Sequence, residues 1–134
     1  MKNFHALLLP AVAAGFLICA GCGQHDKGPR RYNLSGTVTY QGKPVPTGEI
    51  SFLPDSSQGN TGPGAVAFIQ DGRYETRRNK GVTPGPTVVI ITGYDGVSNS
   101  DSATGKALFS SFDTRVDLED RDAVKDFVVE PSPK

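Results

Sequence analysis

Through most of the chain apolar residues recur at every second position, interrupted by Gly, Pro, Asn or Asp at intervals of roughly eight to twelve residues. This is the rhythm of strands joined by turns, and the interior lacks the 3.6-residue period of an amphipathic helix. In 34–40 the pattern places Leu34, Val38 and Tyr40 on one face and Ser35, Thr37 and Thr39 on the other. Gln41-Gly42-Lys43-Pro44 reads as a turn, with Gly42 and Pro44 as its punctuation. Residues 49–53 return with Ile50 and Phe52 inward, and Pro54, which has no N–H to give a ladder, ends the strand.

A polar loop over 55–64 leads to a strand at 65–70. Asp71-Gly72 then predicts a type I′ hairpin, whose two central residues both need positive φ, with 73–76 pairing back. Pro84-Gly85 punctuates the approach to 87–92, apolar on both faces and therefore expected to be a central strand. Residues 112–118 alternate cleanly, and 124–129 supply a last strand. The stretch 93–108, rich in Ser, Asn, Asp and Gly, is expected to be a long, poorly ordered loop. Seven strands without a helix predict an all-β, seven-stranded antiparallel sandwich of the Ig-like or transthyretin-like kind.

The N-terminus follows different rules. Lys2 precedes an uncharged run over 6–20, too short for the roughly 20 apolar residues of a spanning helix and broken by Pro10 and Gly15. It reads as a helical signal peptide over 1–21. Cys19-Ala20-Gly21-Cys22 resembles the bacterial lipobox, in which small residues precede a cysteine that is acylated and becomes the new N-terminus. Cys22 is the expected lipid attachment residue, and Cys19 stands where that pattern usually has leucine. Ordinary cleavage after Ala20 would instead put bulky Ile18 where a small residue is wanted. The remaining segments are a lipidated tether over 22–32, a β-sandwich domain over 33–130 and a loose tail over 131–134. Removing the leader takes Lys2 and no acid, so the mature chain is nearly neutral and suggests no nucleic-acid partner.

Cleavage and acylation also consume both cysteines, which excludes disulfides, thiolate metal sites and cysteine nucleophiles from the mature domain. The one mature histidine, His25, lies in the tether, so a histidine base or His-rich zinc site is unavailable to the folded domain. Gly105-Lys106 is followed by Ala107 instead of Ser or Thr and does not make a phosphate loop. Asp113, Asp117, Glu119, Asp120, Asp122 and Asp126, with Asp95 and Asp101, have no calcium-loop spacing and are expected to be scattered over a solvated strand face. Arg73, Arg77, Arg78 and Lys80 form a basic cluster that either touches an anionic polymer or solvates a strand edge. Tyr94 is the plausible aromatic platform for a sugar ring, and Asn33-Leu34-Ser35 fits a glycosylation sequon. No metal, cofactor or catalytic residue is expected.

Taken together, Gly36-Thr37-Val38, Gly42-Lys43-Pro44-Val45-Pro46, the strand ending at Pro54, Asp71-Gly72-Arg73-Tyr74 and Pro84-Gly85 before Val88 resemble carboxypeptidase regulatory-like domains. With Lys80-Gly81-Val82-Thr83 and the lipobox, the chain is similar to small planctomycetal lipoproteins. Pro86-Thr87 departs from the x-Tyr usual in the broader carboxypeptidase regulatory-like family. The resemblance implies a transthyretin-like sandwich acting as an accessory module with no shared active-site residues. The expected protein is a non-catalytic lipoprotein, exported and anchored in the cell-envelope membrane, whose domain contacts envelope protein or polysaccharide. The alternatives are a carbohydrate-binding module and a hydrolase built on paired carboxylates.

Overall fold

The computed structural model describes residues 28–131. The leader, Cys19, Ala20, Gly21, Cys22, His25 and the tail from 132 onward lie outside the described residues. Among the described residues nine strands form one continuous sheet: β1 (Leu34–Tyr40), β2 (Lys43–Pro44), β3 (Thr47–Pro54), β4 (Ala65–Gln70), β5 (Arg73–Glu75), β6 (Gly85–Tyr94), β7 (Phe112–Leu118), β8 (Ala123–Val124) and β9 (Phe127–Val129). A single turn of 3₁₀ helix, Ser56–Gln58, interrupts the loop after β3. The protein is all-β, as the alternation predicts.

Strand order explains why the sheet closes over a core. Its main path runs β1-β5-β4-β3-β6-β7, with β8 and β9 on the free flank of β1. A flat sheet of that order would hold β7 and β8 about 29 Å apart, at roughly 4.8 Å per strand spacing. Yet residues 119–122 alone connect them, a reach of at most about 17 Å at roughly 3.4 Å per residue. The sheet therefore curls until its two flanks meet, and its inner faces bury Val38, Ile50, Phe52, Ile69, Val89 and Ile91. Phe52 on β3, Tyr74 on β5 and Phe127 on β9 form a triangle across this core, with ring centroids 5.9 to 6.2 Å apart.

The hairpins obey local turn chemistry. Asp71 and Gly72 have φ of 49° and 74°, as a type I′ turn requires. Gln41 and Gly42 do the same at 51° and 73°, so the first turn is two residues long, and Lys43-Pro44 belongs to β2, not to the turn. Pro44 is tolerated there because β2 is an edge strand, where one missing donor costs little. Pro84 precedes β6 and Gly85 opens it, with the Asn60 side-chain amide donating to the carbonyls of both Pro84 and Pro86. Strand β6 lies between β3 and β7 and buries Thr87, Val89 and Ile91 on its inner side.

Two expectations are corrected. The final strand is split and pairs parallel to β1, so the sheet is not wholly antiparallel. The break has a chemical cause: the Asp126 carboxylate takes the Thr37 N–H at 2.8 Å and the Thr37 hydroxyl at 2.9 Å, replacing a backbone carbonyl in the ladder. Second, 93–108 is not structureless. Leu108 N–H donates to the Gly93 carbonyl, Asp95 N–H to Lys106 and Gly96 N–H to Thr104, making an irregular hairpin. Asp95 Oδ1 accepts from the N–H groups of Val97 and Lys106, and Asn99 Oδ1 from those of Asp101 and Ser102, which is why the segment is rich in short polar side chains. Upstream of β1, Arg31 and Tyr32 also make contacts with the rest of the fold. Arg31 donates to the carbonyls of Gly81 and Gly64, and Tyr32 bridges Val82.

Candidate binding face

Strand β4 turns its largest residue toward solvent. Ala65, Ala67 and Ile69 point into the core, while Val66 and Phe68 are 46% and 59% exposed. Both faces of this strand are apolar in sequence, so alternation alone does not choose which side faces water. The neighbours decide it, because Phe52 and Tyr74 already fill the space beside β4 and leave room for alanine.

Register then sets what surrounds Phe68. Glu49 of β3 lies directly opposite Phe68 and Ser51 opposite Val66, while Gln70 faces Arg73 across the hairpin. Next to Phe68, an open groove of about 940 Å³ crosses β5 and β1 toward β8. Its floor carries Ser35, Thr37, Arg73 and Glu75, Phe68 stands at one side, and Val124, itself 76% exposed, stands with Asp126 at the other. Beyond Phe68 in the opposite direction lies a smaller cleft of about 270 Å³. Arg31, Arg77 and Lys80 line it together with Val66 and Phe68, and no acid does. Phe68 thus separates a groove of mixed polarity from a cationic cleft and lines both.

The predicted residues fall into two groups. Of the basic cluster, Arg73 lines the groove and Arg77 and Lys80 line the cleft, while Arg78 lies in the exposed turn between them. Arg31, which the sequence offers only as tether, completes the cleft and is held there by its two carbonyl bonds. Among the described residues the only ion pairs are Arg115–Asp55 and Arg121–Glu119, so Arg73, Arg77 and Lys80 have no ion-pair partner among those residues. Tyr94 is half-buried beside its bridge to Ala107, and the exposed aromatic of the sheet is Phe68.

The acidic residues are dispersed over separate tasks. Asp113 and Asp117 point outward from β7, Asp122 accepts the Asn33 N–H at 2.7 Å, and Asp126 accepts from Thr37. Hydrogen bonds from the Thr37 backbone and hydroxyl hold the Asp126 carboxyl below the usual carboxylate range. Asp55 is 5% exposed and accepts from the Ser57 hydroxyl and N–H, from Gln58 and from Arg115. The Ser57 hydroxyl contributes most to keeping its carboxyl ionised below the ordinary range. Among the described residues no three acidic, histidine or cysteine side chains converge as metal ligands would. The sequon residue Asn33 is engaged on both sides of its amide, donating to Glu75 and accepting from Thr76.

No family model matches the chain, and the curated proteins contain no relative at a significant level. Among the described residues no helix is long and apolar enough to cross a membrane.

Proposed function

We propose that the protein is a lipid-anchored interaction module of the bacterial cell envelope, held by acylated Cys22 and presenting the outer face around Phe68 to a partner. The observation that carries this reading is Phe68 itself. A large apolar ring stands 59% exposed on a strand whose inward positions are Ala65, Ala67 and Ile69, between two depressions lined by charged side chains. Exposed aromatics flanked by arginine are common anchors of binding surfaces. The succession of Gly36-Thr37-Val38, Asp71-Gly72-Arg73-Tyr74 and Pro84-Gly85 supports kinship with carboxypeptidase regulatory-like accessory domains, which act by contact and not by catalysis.

The tether fits this role. Arg31 lines the cationic cleft, so the segment before it links the lipidated cysteine to an edge of that cleft. Two or more acyl chains hold a protein stably on a bilayer, which frees the domain surface for other contacts. Fractionation of cells expressing Cys22→Ser is expected to move the protein from the membrane fraction to the soluble one. Retention in the membrane would overturn the anchor.

A further inference from the structure

We infer that the cationic cleft and the adjoining groove together bind an acidic glycan, a sugar polymer bearing carboxylate or phosphate groups, with a ring seated on Phe68. This deepens the interaction-module reading and rests on it. The two depressions ask for different chemistry on either side of one aromatic residue. Arg31, Arg77 and Lys80 gather three cations with no lining acid, which fits an anionic substituent. The groove across β5 and β1 instead offers Asp71, Glu75 and Asp126 as acceptors, Arg73 as donor, the Ser35 hydroxyl as either and the Thr37 hydroxyl, whose proton goes to Asp126, as a further acceptor. A glycan supplies hydroxyl donors and acceptors along its chain as well as the anion, so it satisfies both sides at once.

Other occupants fit less well. An extended peptide gains affinity by adding to a free strand edge, yet β4 and β5 are paired with each other and with β3 and β1. A flat anionic membrane surface would press its charge against Glu49, Glu75 and Asp71 together with the cations, whereas a glycan places an anionic group in the cleft and turns hydroxyl donors toward the groove acids.

Affinity electrophoresis of the full-length protein in neutral detergent micelles tests the inference, with polygalacturonate as the acidic glycan, dextran as the neutral one and polyglutamate as a polyanion without sugar rings. Polygalacturonate is expected to retard the protein strongly, dextran little and polyglutamate weakly, with retardation falling as salt rises. Phe68→Ala and the pair Arg77→Glu with Lys80→Glu should each weaken binding by about tenfold or more. Lys106→Glu, a charge reversal at a residue that lines neither depression, should leave it unchanged. Equal retardation by polyglutamate, equal retardation by dextran, no response to polygalacturonate, or full binding by Phe68→Ala would each overturn the inference. The Cys22→Ser fractionation is read independently of every one of these outcomes, so failure of the glycan and failure of the anchor are told apart.

Discussion

The Tyr74 hydroxyl donates a 2.6 Å hydrogen bond to the Lys125 carbonyl, tying β5 to the break between β8 and β9. The ring is 3% exposed and packs against Phe52 and Phe127, so its one polar atom has been placed where the interrupted strand leaves a carbonyl free. Burial, reinforced by the Asp126 charge, raises the phenol well above its ordinary value of 10.0. The sign follows directly. Above about pH 10 the unfolded chain gives up this proton and the folded one keeps it, so the stability it contributes is lost as pH rises toward the raised value. Tyr74→Phe is expected to cost roughly 1 kcal/mol at neutral pH and to flatten the alkaline fall in stability. Urea unfolding of both proteins at pH 8 and pH 11 measures the difference, and parallel losses would show that Tyr74 is not its source.

Gly72 is constrained twice. Its φ of 74° belongs to the type I′ turn, and a Cβ there would lie 2.5 Å from Pro44 Cβ. Its N–H and carbonyl also bond Val45 and Val38, which fixes the hairpin tip against β1 and β2. Gly72→Val should therefore destabilise by more than about 1 kcal/mol, beyond the ordinary cost of a β-branched residue at positive φ. Thermal melting checks this, and an unchanged midpoint would contradict the turn.

Gly36 meets a different limit. It has ordinary strand geometry, but a Cβ would fall on the Lys125 carbonyl, the same oxygen that Tyr74 engages. Gly36→Ala is expected to push residues 125–126 away from β1 and break the Tyr74 bond, a loss of roughly 1–3 kcal/mol from overpacking and the vacated carbonyl. Combining Gly36→Ala with Tyr74→Phe should cost less than the two changes added together, because both act on one contact. Strict additivity in denaturant unfolding would dismiss the shared contact.

Acid should act through Asp55. Its carboxylate caps the 3₁₀ turn, accepting the Ser57 N–H at 3.1 Å, and reaches Arg115 on β7 at 3.3 Å. With the folded value held below 3.8, the stability it contributes is present above the unfolded value and fades as pH falls through the lowered one. Asp55→Asn should lower stability at pH 7 and shrink the difference from the unmodified protein by pH 3. A gap of constant size between pH 7 and pH 3 would show that ionisation of Asp55 plays no part.

Most of the fold was legible because period and turn chemistry are local. Leu34, Val38, Ile50 and Phe52 fall inward as alternation requires, and Asp71-Gly72 needs no distant partner to specify its turn. What escaped depends on contacts far apart in sequence. The Thr37–Asp126 bonds that split the last strand join residues 89 positions apart, and nothing near Asp126 marks it as a ladder substitute. Arg31 reads as tether because its partners, Gly64 and Gly81, come together only after folding. The candidate face was legible in its cations and not in its centre: Arg73, Arg77 and Lys80 are a visible cluster, whereas Phe68 sits in a run apolar at nearly every position.

That ambiguity makes β4 the sharpest place to test the register. A slip of one residue would bury Phe68 and expose Ile69, exchanging the two faces of the strand. In the observed register Ile69 is fully buried and Phe68 is open to water on a face it shares with Glu49. Ile69→Ala is therefore expected to cost about 2–5 kcal/mol, and Phe68→Ser to change stability by no more than about 0.5 kcal/mol. Denaturant unfolding of the two variants settles the order. A large loss for Phe68→Ser would place the ring in the core and remove the aromatic centre of the proposed binding face. Near-neutrality of that change, beside a costly Ile69→Ala, would mean that an exposed phenylalanine is kept on the sheet without helping it fold.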